Sequence, residues 1–211
     1  MLLFLATSVG CSSTTKRKME DPIFGASYKP GNVMVLSTNL PPTLKRVAVL
    51  ALSIAPQAQG GSDTMPIILH GEVAKLGKFE TIFISPSQLQ RWFNRESISV
   101  EDKLPPNFFE MIREQTGAQG VLFCRLTRYQ PYPPIAVGWN MRLVTTTKPE
   151  TLWAADEVFD AGDPTVSNAA RRFQRNQQMS EPHADSHTVL VSPRMFGQYA
   201  LASLLATIPG R

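Results

Sequence analysis

The sequence predicts a single α/β domain: one mixed sheet, parallel strands early and an antiparallel meander late, flanked by helices. Three observations predict it. Residues 44–53, LKRVAVLALS, form a nearly continuous Val- and Leu-rich run, the pattern of a strand buried on both faces. A stretch of helical pattern separates this run from a second strand, FETIFIS at 79–85, and such a strand–helix–strand unit sets its strands parallel. Three further strand-like stretches are joined only by PYPP (131–134) and KPE (148–150), and connections this short join antiparallel neighbours.

Each element has a local reason. After the first strand, APQAQGGSD reads as a loop in which Ser62 or Asp63 caps the helix of TMPIILHGEVAKLGKFE. That helix carries Ile67, Ile68, Val73 and Leu76 on its apolar face and stops at Gly77. SPSQLQRWFNRE places Ser85 at a cap, Pro86 at the first helical position and Gln88 three after the cap, a capping box. PPNFFEMIREQTG (105–117) is a helix opened by Pro and closed by Gly. The meander follows: AQGVLFCRLTRYQ, then IAVGWNMRLVTTT, then ETLWAADEVFDAG. Val137, Trp139, Met141 and Leu143 share one face, and the matching row of the next strand is either Leu152 and Ala154 or Trp153 and Ala155. Asp163 and Pro164 open a helix over 163–178, and SPRMFGQYALASLLATI closes the chain as an amphipathic helix with Met195, Tyr199, Ala202 and Leu205 in register. The order is β-α-β-α-α-β-β-β-α-α. NVMVLSTNL, ahead of this domain, has enough strand character to add to a sheet edge.

The chain has 211 residues, 43% of them hydrophobic, enough for one domain with a real core plus a tail. Seventeen prolines call for long loops or a linker. The net charge of +4 is mild, and no dense Lys/Arg run with interleaved aromatics appears, which argues against nucleic acid. No apolar run is long enough for a membrane-spanning helix. Catalytic signatures are absent: there is no GxGxxG, no phosphate-loop Lys and no Gly-x-Ser-x-Gly elbow. HADSH (183–187) sets Asp185 between His183 and His187, but the stretch is short, polar and without a further strong ligand nearby, so a solvated loop is expected and no metal or cofactor is assigned. DAGD (160–163) reads as a turn leading into a cap, His70 as a surface or half-buried helix residue, and Cys124 as a small buried hydrophobe within GVLFCRL.

Two surface features point to contact. Tyr129, Tyr132 and Trp139 crowd a Pro-rigid turn, and aromatic surfaces of low entropy make good contact sites. Arg171 and Arg175 share a helix face at i, i+4, where they meet solvent or an anionic surface.

The amino terminus supplies a location. Residues 1–10, MLLFLATSVG, are apolar, uncharged and end in small residues before Cys11. The missing basic n-region fits a start that lies upstream. Ser8-Val9-Gly10-Cys11 resembles a bacterial lipobox; Gly10 and Cys11 fit its two strictest positions, and Ser8 stands where the family prefers Leu. The resemblance implies a lipoprotein signal peptide (1–10), an acylated Cys11 opening a tether (11–43), and a periplasmic domain (44–209). Ser12 after the Cys implies export to the outer membrane. Residues 12–42 would reach about 100 Å if extended at ~3.3 Å each. RVAVLAL, GAQGVLFCRLTRYQPY and ETLWAADEVFD resemble, in turn, envelope lipoproteins whose domain is similar to the amino-terminal domain of the Tol translocation protein and to the periplasmic domain of the curli secretion-channel lipoprotein. That resemblance implies no catalytic residue. It implies a non-catalytic binding or assembly module of envelope biogenesis or secretion, partnered by another envelope protein or by its own copies. Regulation of a cell-wall synthase is the alternative, and an enzyme acting on envelope polymers a more distant one.

Overall fold

The computed structural model describes residues 28–177 and 186–211. Seven strands form one mixed sheet: β1 (Val33–Val35), β2 (Arg46–Val49), β3 (Ser53–Ile54), β4 (Glu80–Phe83), β5 (Gly120–Gln130), β6 (Ala136–Thr145) and β7 (Thr151–Asp160). Among the described residues five α-helices flank it: α1 (Met65–Lys75), α2 (Pro86–Phe93), α3 (Phe108–Thr116), α4 (Pro164–Gln177) and α5 (Pro193–Leu205). The strand order is β1-β7-β6-β5-β2-β4, with β3 alongside β5. β2 is parallel to β4 and β5, whereas β5, β6, β7 and β1 are antiparallel. The α/β class, the single mixed sheet and its division into parallel and antiparallel parts are as the sequence predicts.

Strand parity divides the core. Val47, Val49, Leu122, Cys124 and Leu126 point to one side, where α1, α4 and α5 pack. Ala48, Leu50, Val121 and Phe123 point to the other, beneath α2 and α3. Of the two rows open for β7, Trp153 and Ala155 join Trp139 and Met141 in the larger core, and Trp153 Nε1 donates to Thr207 Oγ1 at 2.9 Å. Cys124 is fully buried, and burial pushes its thiol well above the usual range.

Several helix ends follow their sequence signals. Ser85 Oγ accepts from Gln88 N while Gln88 Oε1 accepts from Ser85 N at 2.9 Å, completing the capping box. Asp163 Oδ1 accepts from Thr165 Oγ1 at 2.8 Å and from Thr165 N at 2.7 Å, and these bonds hold the Asp163 carboxyl below its ordinary value. Gly117 ends α3 at φ +67°, where a side chain would be strained.

Other expectations are corrected. LKRVAVLALS is broken into β2 and β3. The helix α1 starts after Thr64, because the first helical bond runs from Ile68 N to Thr64 O, so neither Ser62 nor Asp63 caps it. Its buried face is Met65, Ile68, Leu69 and Val73; Ile67 is turned outward. The helix α3 starts at Phe108, because Pro105 and Pro106 belong to a turn closed by Asn107 at φ 55°. On α5 the buried face is wider than Met195, Tyr199, Ala202 and Leu205. Neighbours on several sides bury Phe196, Gly197, Ala200, Leu201 and Leu204 as well.

The strand character of NVMVLSTNL is realised as β1, antiparallel to β7. One carboxylate clasps the chain that leads into it. Glu157 accepts from Tyr28 Oη at 2.7 Å, Gly31 N at 2.7 Å and Asn32 N at 3.0 Å. The Tyr28 ring packs edge-on against Phe159 at 5.6 Å, and burial together with Glu157 pushes its phenol upward. Leu40 is buried too. Packed structure therefore begins by Tyr28, within the stretch assigned to the tether.

Candidate binding face

Apart from Val144 at the end of β6, which packs into the smaller core, the antiparallel strands β6, β7 and β1 are covered on one side only. The row of Val137, Trp139, Met141, Leu143, Trp153, Ala155 and Phe159 faces the larger core. The alternate row holds Asn140 and Arg142 on β6, Ala154, Asp156 and Val158 on β7, and Met34 on β1, all half-buried or exposed. On this side α2 and α3 reach along β5 only as far as Phe123. The next residue of that row, Arg125, is ion-paired with Glu101 from the α2–α3 connection, and this pair forms the rim of the cover.

Beyond the rim a β-bulge shapes the surface. The register shifts between Leu126 and Arg128, which brings Thr127 and Arg128 over Gly138. A Cβ on Gly138 would lie 2.6 Å from Thr127 Oγ1, so this position requires glycine. A groove of about 670 Å³ opens here, between Gln57, Arg128, Tyr129 and Gln130 on one wall and Asp156 and Val158 on the other. Its polar walls are held in place. Gln57 Nε2 donates to Thr127 O at 2.9 Å, Arg128 Nη2 to Gln130 Oε1 at 3.2 Å, and Gln130 Nε2 to Pro134 O at 2.7 Å. A smaller groove of about 260 Å³ continues toward the sheet edge past Asn140, Arg142 and Met34, where Asn140 Nδ2 donates to Asp156 Oδ2 at 3.2 Å. A third, of about 420 Å³, lies at the opposite end of the sheet between Phe109, Arg113 and Pro149. Burial pushes the Tyr129 phenol above its ordinary value.

The predicted contact residues separate. Tyr129 lines the large groove, its ring lying across Gly60 and Gly61. Tyr132 stands at the tip of the β5–β6 turn, 77% exposed. Trp139 belongs to the core at 0% exposure: its parity on β6 is that of Val137 and Met141, so it cannot share an exposed aromatic turn. Arg171 and Arg175 lie on α4, on the helix-covered side of the sheet, away from the grooves. Arg171 is half-buried and donates to Asn168 Oδ1, Arg175 is exposed, and Phe173 between them packs against Tyr199 at 5.7 Å. Cys11, His183 and Asp185 lie outside the described residues; His187 is exposed on a 3₁₀ turn at Ser186–Leu190. His70 is exposed but stacks on Phe83 at 4.1 Å, and partial desolvation holds its pKa below the ordinary value. Among the described residues no three His, Cys, Asp or Glu side chains gather as a metal set, and no helix is long and apolar enough to cross a membrane.

Sequence reasoning missed Asn140, Arg142, Asp156 and Met34 as one surface. The polar alternation of the second and third meander strands was the available signal. What it lacked was the knowledge that no helix covers that row.

No protein-family model matches the chain, and no curated protein matches it. Among solved structures it is similar to the PelC dodecamer from Paraburkholderia phytofirmans, at 13% identity and a TM-score of 0.45, over 85% of this chain and 97% of that one. It is also similar to the lipoprotein GNA1162 from Neisseria meningitidis, at 13% identity and a TM-score of 0.41, over 66% and 99% of the two chains. A third is the LpoB C-terminal domain from Salmonella enterica, at 18% identity and a TM-score of 0.35, over 55% and 82%. The narrower resemblance to the Tol and curli domains gains nothing from these likenesses.

Proposed function

We propose that this chain is a lipid-anchored protein of the bacterial envelope, held by Cys11 at the periplasmic face of the outer membrane, and that its domain works by contact rather than by catalysis. The observation that carries the contact reading is the bare face of β6, β7 and β1 with its two grooves. Neither groove brings together two carboxylates, or a carboxylate and a histidine, among the described residues: Asp156 is the one acid in each. A general acid–base pair needs two such groups in reach of one bond. The walls instead offer amide and guanidinium groups already fixed by hydrogen bonds, beside the Tyr129 ring and apolar Val158 and Met34, the composition of a protein contact surface.

Packing from Tyr28 onward bears on the choice of partner. Only residues 12–27 remain to link Cys11 to the domain. Sixteen residues reach at most about 53 Å at ~3.3 Å each, half the span of a tether running to residue 42. This favours a partner close to the anchoring membrane over a cell-wall synthase on the far side of the wall.

The test expresses the chain in a bacterial host and compares its intact mass and membrane fractionation with those of Cys11→Ser. Acylated mass and membrane location that both disappear in the variant support the anchor. An unmodified, soluble wild type overturns it. Crosslinking from Gln130 and Val158 then tests the contact face, with Arg175 as the control on the opposite side.

A further inference from the structure

We infer that the outer edge of β1 is a pairing site for a second copy of this chain, the two β1 strands running antiparallel about a two-fold axis at Met34. The inference concerns the sheet edge and does not depend on the Cys11 anchor. It starts from ladder parity. Asp156 N donates to Asn32 O at 3.0 Å and Leu36 N to Leu152 O at 3.1 Å, so even-numbered residues bond inward to β7. The backbone groups of Val33 and Val35 therefore point outward from the sheet. Natural edges of this kind are blunted by charge, proline or a bulge. None of these is present on β1. Residues 30–44 hold no charged side chain, and three consecutive apolar side chains are exposed there: Met34 at 52%, Val35 at 43% and Leu36 at 60%.

The same features select the occupant. An unguarded apolar strand is matched by another that is extended, uncharged and apolar, and β1 itself is such a strand. Self-pairing brings no like charges together. A two-fold axis at Met34 makes Val33 and Val35 hydrogen-bonded partners of Val35 and Val33 in the second copy, using every outward group of the strand, with Met34 facing Met34 across a non-hydrogen-bonded site. It also joins the two bare faces into one continuous surface. The paired stretch is short, which places this contact in the transient size class.

The experiment uses the full chain in detergent with Cys11→Ser, leaving buried Cys124 as the one native thiol. Met34→Cys is added, and Ile67→Cys, 68% exposed on α1, serves as the control. Opposed Cα atoms at a non-hydrogen-bonded site lie about 4.5 Å apart, within disulfide reach. Under mild oxidation Met34→Cys gives covalent dimer at least several-fold above Ile67→Cys. Adding Val35→Pro, which removes an outward N–H, or Val35→Lys, which adds like charge, returns the yield to the control level with the circular dichroism unchanged. Equal yields at the two cysteines, or a dimer indifferent to both Val35 variants, would overturn the inference. So would a Met34→Cys thiol that neither crosslinks nor reacts with maleimide, because another part of the chain would then cover the edge.

Discussion

The two halves of the sheet solve the same burial problem in opposite ways. The parallel half, β2 and β4 with the first part of β5, is covered on both faces. It ends at an edge strand whose exposed Glu80 is paired across to Arg46 Nη2 at 2.9 Å. The antiparallel half is covered on one face and ends at an edge without charge. The difference shows where the fold has placed its helices and where it has left sheet surface bare. Loss of the inner row should unfold the protein, and loss of the outer row should cost contact alone.

Adjacent residues of β6 give the sharpest form of that contrast. Trp139→Ala should cost about 3–5 kcal/mol of unfolding free energy in urea titrations, while Asn140→Ala, on the bare face, should stay within about 0.5 kcal/mol. Similar costs at the two positions would erase the distinction between the faces. A finer comparison lies within the covered face. Trp153→Phe removes the hydrogen bond to Thr207 Oγ1 and leaves that hydroxyl only its donation to Leu204 O, whereas Trp139 Nε1 has no hydrogen-bond partner among the described residues. Replacement of Trp153 by Phe should therefore exceed replacement of Trp139 by Phe by about 1 kcal/mol. In the parallel half, Ser85→Ala removes the α2 cap and should lower stability by about 1 kcal/mol, leaving crosslinking through Met34→Cys unaltered.

The smallest effect is a pH dependence. His70 has its pKa held below the unfolded value of 6.5 by desolvation. The unfolded chain takes up the proton first, so the contribution of neutral His70 is present above pH 6.5 and is lost as pH falls below it. Thermal melts of His70→Gln should lose less stability than wild type between pH 7.5 and pH 5. An equal or steeper loss would mean that the ring is not desolvated against Phe83.

Much of this contrast was legible in the sequence because strand burial writes itself into residue pattern. RVAVLAL is continuous because both faces are covered; GWNMRLV alternates because one is not. The capping box at Ser85 and the cap at Asp163 were readable because each is complete within four residues. The failures involve distance. Trp139 looked like part of the PYPP turn because it is close in sequence, yet the parity it shares with Val137 and Met141 carries it into the core. Ile67 looked apolar enough to be buried, but the true start of α1 rotates it outward. The stretch read as a tether ran to residue 43 because nothing local says that Glu157, more than a hundred residues away, clasps Tyr28, Gly31 and Asn32. That one face is bare was written in the alternation of GWNMRLV; where the bare patch begins was not, since it depends on where α2 and α3 stop.

The central claim is that the antiparallel half is the contact half and that its edge is covered in the working protein. Amide hydrogen exchange at Val33 and Val35, measured on the full chain at low and high protein concentration, tests it most directly. The two outward amides should gain protection as concentration rises, while Met34 and Leu36, bonded to β7, stay protected throughout. Exchange at Val33 and Val35 at the rate of free amides at every concentration would contradict the account.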